Sequence, residues 1–254
     1  MAVDLHLHTI YSDGTSSLNE ILDETKHLSA ISITDHDSID AYTELSKYNS
    51  EVKIIPGIEI STYVPFEVHM LGYFLDVPPP SFNEELRRIN LKRQKNIMLL
   101  TSKFYKNRYI DISPMQLFNK NRYVNLEDLY SLVKAKNEAI TIYEFYYGKE
   151  YVNANIIGIS PYEAIQLIKK YGGIASLAHP KRLIDMLKLE NVTLSMFISQ
   201  LIDSGLDAIE CYHESFSEMD INDCLGIARS NNLMVTGGSD YHGTKRPWVI
   251  PGMV

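Results

Sequence analysis

The histidines of this chain recur in short motifs that join imidazole to a carboxylate or to a tight turn. In order these are Asp4-Leu5-His6-Leu7-His8, Ser12-Asp13-Gly14, Thr34-Asp35-His36-Asp37, Gly57-Ile58-Glu59, His69, Ala178-His179-Pro180, Glu210-Cys211-Tyr212-His213 and Gly238-Ser239-Asp240-Tyr241-His242-Gly243; of the 8 histidines only His27 stands outside them. Imidazole with carboxylate is the donor set for zinc, manganese and iron. So many donors can fill more than one metal site, and the chain reads as a multinuclear metallohydrolase.

Each motif also has a plainer reading. In His6-x-His8, strand alternation puts both imidazoles on one face, where they can hold one ion; two surface or core histidines would look the same. Asp4 shares that face and is expected to support a ligating imidazole. Asp13 reads first as a turn residue, as Asp before Gly commonly does, and its place just after the histidine pair makes it a candidate ligand. Thr34–Asp37 suits a helix N-cap as well as a ligand His36 supported by Asp35 and Asp37. Glu59 follows a Pro-Gly turn, and His69 alone reads as a core strand histidine. Pro180 cannot continue a ladder, so the chain must turn at His179. Gly237 and Gly238 allow a close backbone approach that would release Asp240 and His242 into a site. His27 falls in a predicted helix and is expected to be structural or solvent-facing.

The elements that must position these residues follow a βαβ rhythm. Strands are expected at 3–8, 31–34, 52–55, 68–74, 174–178, 208–212 and 233–236. Helices are expected from the Ser17-x-x-Glu20 capping box to about His27, at 39–48, from the Ser160-Pro161 cap to about Tyr171, at 194–204 and at 218–230. The rhythm stops at Pro78-Pro79-Pro80, because a proline triplet interrupts both helix and strand. Residues 81–157, with a long basic helix at 84–106 and a tyrosine-rich stretch at 143–151 assigned to packing, read as an inserted, mostly helical cap. Residues 1–80 and 158–254 form the main domain, an α/β unit. His8, His36, Glu59, His179, Glu210 and Asp240 all fall at or just beyond the C-terminal end of a predicted strand, where α/β barrels build their sites.

The bulk numbers agree. A chain of 254 residues with 45% apolar composition can bury its own core. Its 2 cysteines, Cys211 and Cys224, make no disulfide framework, which with the lack of a leader or spanning run points to a reducing, cytoplasmic setting. The formal net charge of -8 argues against duplex DNA as partner and gives no reason to expect a membrane. It is compatible with a phosphorylated ligand, since bound cations dominate the local charge of a site.

Taken in this order, the set D-x-H-x-H, S-D-G, T-D-H-D, G-x-E, a strand histidine, A-H-P and G-S-D-x-H-G resembles the polymerase-and-histidinol-phosphatase (PHP) family of metal-dependent phosphoesterases, from Val3 to about Gly243. The resemblance implies a distorted (β/α)7 barrel of the TIM-like type and three divalent ions, manganese, zinc or iron. His6, His8, Glu59 and Asp240 would hold one ion. Glu59 would bridge to a second held by His69 and His179, and Asp13, His36 and His242 would hold the third. It also implies phosphate contacts from Arg122 in the insertion, from Lys149 and from Arg182. Where the family often shows Y-H-P-x-H, this chain has Tyr212-His213-Glu214-Ser215-Phe216, so the second histidine is lost.

The chemistry expected is phosphomonoester hydrolysis by a hydroxide bridging two ions, with Arg122, Lys149 and Arg182 on phosphate oxygens and His213 protonating the leaving oxygen. Small nucleotides such as 3′,5′-bisphosphates, or RNA 5′ ends, are the expected substrates. Three rivals stand beside this reading. A histidinol-phosphatase-like enzyme suits the large basic insertion less well. An amidohydrolase-type C–N hydrolase would want a metal-bridging lysine at a strand end, and none is so placed. A non-catalytic scaffold domain would not need the complete ligand set. The sequence fixes no oligomeric state.

Overall fold

The computed structural model describes residues 2–48, 50–63, 66–108, 126–136, 139–141, 145 and 158–253. The strands are β1 (Val3–Leu7), β2 (Ala30–Ile33), β3 (Lys53–Ile54), β4 (Gly57–Tyr63), β5 (Glu67–Tyr73), β6 (Ile174–Leu177), β7 (Ala208–His213) and β8 (Met234–Gly238). The helices are α1 (Leu18–Glu24), α2 (Ala41–Glu44), α3 (Pro80–Arg108), α4 (Leu126–Lys136), α5 (Pro161–Lys170), α6 (Ile184–Leu189), α7 (Leu194–Asp203) and α8 (Glu218–Ser230). No helix among the described residues is long and apolar enough to cross a membrane.

Local chemistry sets the helix starts. Ser17, Ser160 and Ser217 each accept a hydrogen bond from the backbone three residues on, and the acidic residue there, Glu20, Glu163 or Asp220, reaches back to the cap. Each such cap satisfies otherwise orphaned N–H groups and stabilises by about 1 kcal/mol. The Ser160-Pro161 start and the 218–230 helix lie where the sequence puts them. The helix expected at 39–48 stops at Glu44 and tightens into a 3-10 turn, and its N-cap Asp40 makes no side-chain cap bond. Thr34 does not cap it; its hydroxyl accepts from Leu7 N at 3.2 Å and so ties β2 to β1. Pro80 opens α3 rather than only closing what precedes it, as proline at a first helical position can.

The strands form two sheets. β1, β2 and β3 are parallel, and β4 to β8 lie side by side in sequence order. β5 is antiparallel to both neighbours, while β6, β7 and β8 run parallel. The sheets meet at two seams. A parallel bridge joins Leu7 to Tyr241, with His8 N donating to Tyr241 O at 3.0 Å, and another joins His36 to Glu59, with Asp37 N donating to Glu59 O at 2.8 Å. Ile31, Ile33, Ile58, Ile60, Met70, Leu177 and Ile209 are fully buried in the main apolar core. Each such aliphatic contributes roughly 1.5–3 kcal/mol by leaving water. Alternation puts Gly57, Glu59 and Ser61 on the opposite face of β4 from Ile58 and Ile60.

The sequence reading has no strand at 57–63. There Glu59 lies inside β4, not beyond the end of the preceding strand. Likewise Glu210 lies inside β7, while His69 lies on β5, the strand expected to carry it. Because β5 runs against its neighbours, its N-terminal half reaches the rim that the other strands reach with their C-terminal ends; Ser61 pairs with His69 in register.

β8 approaches β1 without side-chain clearance at Gly238. A Cβ there would lie 2.4 Å from both Cβ and N of His6. Gly238→Ala is therefore expected to destabilise the metal-free protein by roughly 1–3 kcal/mol through overpacking, read as a lower urea midpoint; an unchanged midpoint would show that β1 can step back.

Candidate metal centre

Glu59 is the node of the site. Its Oε2 faces Nε2 of His6 at 3.2 Å, of His8 at 3.1 Å and of His36 at 3.3 Å. Its Oε1 faces His69 Nδ1 at 3.0 Å and His179 Nε2 at 3.1 Å. Asp240 Oδ1 lies 3.5 Å from His6 Nε2 and 3.3 Å from His8 Nε2. Asp13 Oδ1 lies 3.3 Å from His242 Nε2 and 3.6 Å from His8 Nδ1. All these residues are buried except His69, whose side chain is 19% exposed. Residues from β1, β4, β5 and the turns that follow strands thus converge on one point.

Three overlapping groups can each hold an ion, with ligand atoms within 4.8 Å of one another: His8, Asp13, His36 and His242; His6, His8, Glu59 and Asp240; and His36, Glu59 and His69. His179 joins through Glu59 and packs its ring 5.1 Å from that of His69.

The chemistry of the donors fits cations. His6 Nε2 and His8 Nε2 are buried with no hydrogen-bond partner although carboxylate oxygens stand beside them. Nitrogens and carboxylate oxygens that crowd one point off the hydrogen-bond axis are placed like co-ligands of one ion. Burial would push the carboxyls of Glu59, Asp13 and Asp240 up, but the surrounding imidazoles outweigh it and hold all three well below the usual range. The rings themselves divide. Burial lowers each, yet facing carboxylates raise His8 to about 9 and His69 to about 10. At His36 burial wins, bringing it down to about 3, and burial also holds His179 well below its ordinary value. The cluster draws positive charge into its centre.

A surrounding shell fixes the ligands. Glu210 Oε1 pairs with His6 Nδ1 at 2.9 Å, and its Oε2 accepts from His179 N at 2.6 Å. Ser61 Oγ pairs with His36 Nδ1 at 3.0 Å, and Asp240 O with His242 Nδ1 at 2.7 Å. Asp35 accepts from Thr9 N, Thr9 Oγ1 and Ser12 Oγ, steadying the loop that carries Asp13. Asp37 accepts from Ser61 N and pairs with the buried Arg93 of α3, whose Nη2 also donates to Ser61 O at 2.8 Å. Asp4 corrects an expectation. It serves no imidazole; it accepts from the backbone N of His6, Ser239 and Gly252, binding β1 to the segments after β8.

Asp37, His179 and Asp240 adopt φ of 50°, 28° and 53°, and the remaining positive-φ residues other than glycine among those described are Asn191 and Asn232. Asparagine and aspartate tolerate the left-handed region; His179, with φ of 28° and ψ of 57°, falls at its edge, and strain of that kind clusters at functional sites.

His213 is buried, with Nδ1 against Ser215 Oγ at 2.9 Å and Nε2 3.3 Å from Asp240 Oδ2. Arg182 Nη1 donates to the same oxygen at 3.1 Å. Arg122, Lys149 and the tyrosines of 143–151 lie outside the described residues. His27 is exposed, and Cys211 and Cys224 are free and buried in the core. The sequence reading passed over Ser61, Arg93 and Arg246 and gave Glu210 no role; for Glu210 the signal was its place on a strand beside a motif histidine.

These features define an α/β protein with a buried cluster of imidazoles and carboxylates suited to divalent metal ions. The model of the PHP domain matches residues 4–184, and the chain belongs to the PHP family. It is 25% identical over 258 residues to the phosphoribosyl 1,2-cyclic phosphate 1,2-diphosphodiesterase of Eggerthella lenta, covering 96% of this chain and 95% of that protein. It is 26% identical over 263 residues to the 5′-3′ exoribonuclease Rnm of Escherichia coli, covering 98% and 87%. A proposed metal-dependent phosphoesterase from Bifidobacterium adolescentis matches with a TM-score of 0.74 at 22% identity, over 96% of this chain and 89% of that one. An amidohydrolase from Chromobacterium violaceum matches with a TM-score of 0.71 at 20% identity, over 96% and 88%. These structural likenesses show the fold.

Glu210→Gln keeps the size of the side chain and removes the charge that orients His6. Losing such a partner typically weakens metal binding by about 10–100-fold, and that loss is expected in a competition titration with a chromogenic chelator. Wild-type affinity would show that Glu210 does not hold the ligand.

Proposed function

We propose that this chain is a metal-dependent phosphoesterase that hydrolyses phosphomonoesters of small nucleotides, such as 3′,5′-bisphosphates, or of RNA 5′ ends. The observation that carries the reading is the gathering of five imidazoles on the single carboxylate of Glu59 in a chain of the PHP family. A second reading, opening of a cyclic phosphodiester, is supported by the diphosphodiesterase relative, which aligns with nearly the whole chain. The amidohydrolase reading is disfavoured by lysine placement. Lys181, just after the β6 ligand turn, pairs with Asp220 and Asp223 on α8 instead of bridging the cluster.

In this proposal the strands close as a distorted (β/α)7-like barrel around the centre, with residues 81–157 as a helical cap over it. Three ions would be held by His6, His8, Glu59 and Asp240; by Glu59, His69 and His179; and by Asp13, His36 and His242. Divalent manganese, zinc or iron would supply Lewis acidity and a water acidic enough to ionise near neutral pH. Arg182 binds phosphate oxygens through its fork, where charge grows in the transition state. The backbone N–H of Ser215 donates to His213 Nδ1 at 3.1 Å, which leaves Nε2 to hold the proton that passes to the leaving oxygen. Arg122 and Lys149 complete the phosphate contacts from the cap. The free, buried cysteines suit a cytoplasmic setting.

The test is product formation, followed by chromatography, from chelator-stripped protein with manganese, zinc or iron added back. The panel comprises nucleoside 3′,5′-bisphosphates, 5′-phosphorylated RNA, a ribose 1,2-cyclic phosphate, histidinol phosphate and an amide. Turnover that appears only with metal, and is fastest on a nucleotide or RNA end, is expected. Faster turnover of histidinol phosphate or of the amide would overturn the substrate assignment. His213→Ala should lower turnover of nucleotides by roughly 10²–10⁴-fold yet spare p-nitrophenyl phosphate, whose leaving group needs no proton; equal loss on both would remove His213 from the acid role.

A further inference from the structure

We propose that Arg246 is the second arginine of a phosphate clamp: with Arg182 it grips non-bridging oxygens of the phosphoryl group that is cleaved. The proposal rests on the phosphoesterase reading and names a contact of that same site. Asp240 divides its carboxylate between two tasks. Oδ1 faces the ligand atoms His8 Nε2 at 3.3 Å and His6 Nε2 at 3.5 Å. Oδ2 accepts from Arg246 Nη1 at 2.6 Å, from Arg182 Nη1 at 3.1 Å, and lies 3.3 Å from His213 Nε2. Arg246 Nη1 also reaches Asp240 O at 3.5 Å, and Arg182 Nη2 lies 3.6 Å from Glu214 Oε1. The two guanidiniums arrive from different elements, the turn after β6 and the turn after β8, and meet on one carboxylate oxygen.

That meeting point is one carboxylate away from the ligand nitrogens, so a phosphoryl group seated at the ligands comes within reach of both forks. Arg246 and Arg182 are 24% and 36% exposed while the Asp240 side chain is 3% exposed, which puts the guanidiniums at the mouth and the carboxylate behind them. Glu214 stands beside Arg182, whereas the carboxylate that meets Arg246 is shared with Arg182 and with the imidazoles of His6 and His8. Guanidinium forks match phosphate oxygens in pairs. Arg246 also lies beyond the residues matched by the family model, 4–184.

Arg246→Ala and Arg246→Lys would be compared with wild type after metal loading. Metal per chain is measured by mass spectrometry and binding of inorganic phosphate by calorimetry. kcat/KM is measured on a nucleoside 3′,5′-bisphosphate and on p-nitrophenyl phosphate. The alanine variant is expected to keep its metal, to bind phosphate at least about 10-fold more weakly and to lose roughly 10²–10³-fold in kcat/KM on both substrates, with lysine restoring part of each. Wild-type phosphate affinity in the alanine variant overturns the clamp. Loss of metal would make Arg246 a support for Asp240 only and overturn it too, as would a loss confined to the bisphosphate, which would place Arg246 on the other phosphate. If wild-type protein hydrolyses no phosphate ester the phosphoesterase reading falls, and the phosphate titration still decides the clamp.

Discussion

A buried carboxylate surrounded by imidazoles governs this molecule. An ionised carboxylate taken out of water without compensation costs many kcal/mol, and so does a buried cation. Glu59 and the rings around it can be buried only together. A carboxylate that loses its rings becomes an unpaired charge in an apolar setting, and a ring that loses its carboxylate gives up its proton. The cluster is therefore cooperative in a literal sense. Its demand for positive charge at the centre is visible in His8 and His69, which the facing carboxylates raise against burial, whereas at His36 burial wins. Cations bound among the same atoms would satisfy that demand more evenly than protons shared out among rings.

The backbone is shaped to keep the cluster in register. The close approach at Gly238, the left-handed conformations at Asp37, His179 and Asp240, and the bonds from Asp4 and Asp35 to loop N–H and hydroxyl groups all fix turns that propensity alone would leave loose. Strain such as that at His179 persists only where the surroundings over-determine it. Here the surroundings are two sheets joined at one seam beside candidate ligands, Leu7 with Tyr241, and at the other by candidate ligands themselves, His36 with Glu59. Sheet pairing and ligand placement are thus one constraint viewed from two sides.

That constraint also explains what the sequence showed and what it hid. The ligand motifs were legible because histidine and aspartate beside glycine and proline have few other reasons to recur at strand ends. Helix starts were legible because capping is local, as at Ser160 and Ser217. β4 was not legible: its buried glutamate looks like a turn residue until the imidazoles that compensate it are known, and these come from as far along the chain as His179. His69 read as an ordinary core residue because the reversal of β5 is a property of the sheet rather than of the segment. Asp4 was misjudged for a related reason. Sharing a face with His6 says nothing about which group the carboxylate meets, and the nearest demand was backbone N–H from the end of the chain.

Helix α3 is joined to this network. Arg93 of α3 pairs with Asp37 and with the carbonyl of Ser61, and the hydroxyl of Ser61 orients His36. Asn90 of the same helix donates to Asp37 O at 3.0 Å. A buried arginine held in this way has no low-energy alternative position, since withdrawing it would leave Asp37 buried and unpaired. Displacing α3 therefore disturbs a ligand two hydrogen bonds away. Helix α3 and the charged cluster therefore cannot move independently: the pairs of Arg93 with Asp37 and Ser61 tie the helix to the residues that orient His36.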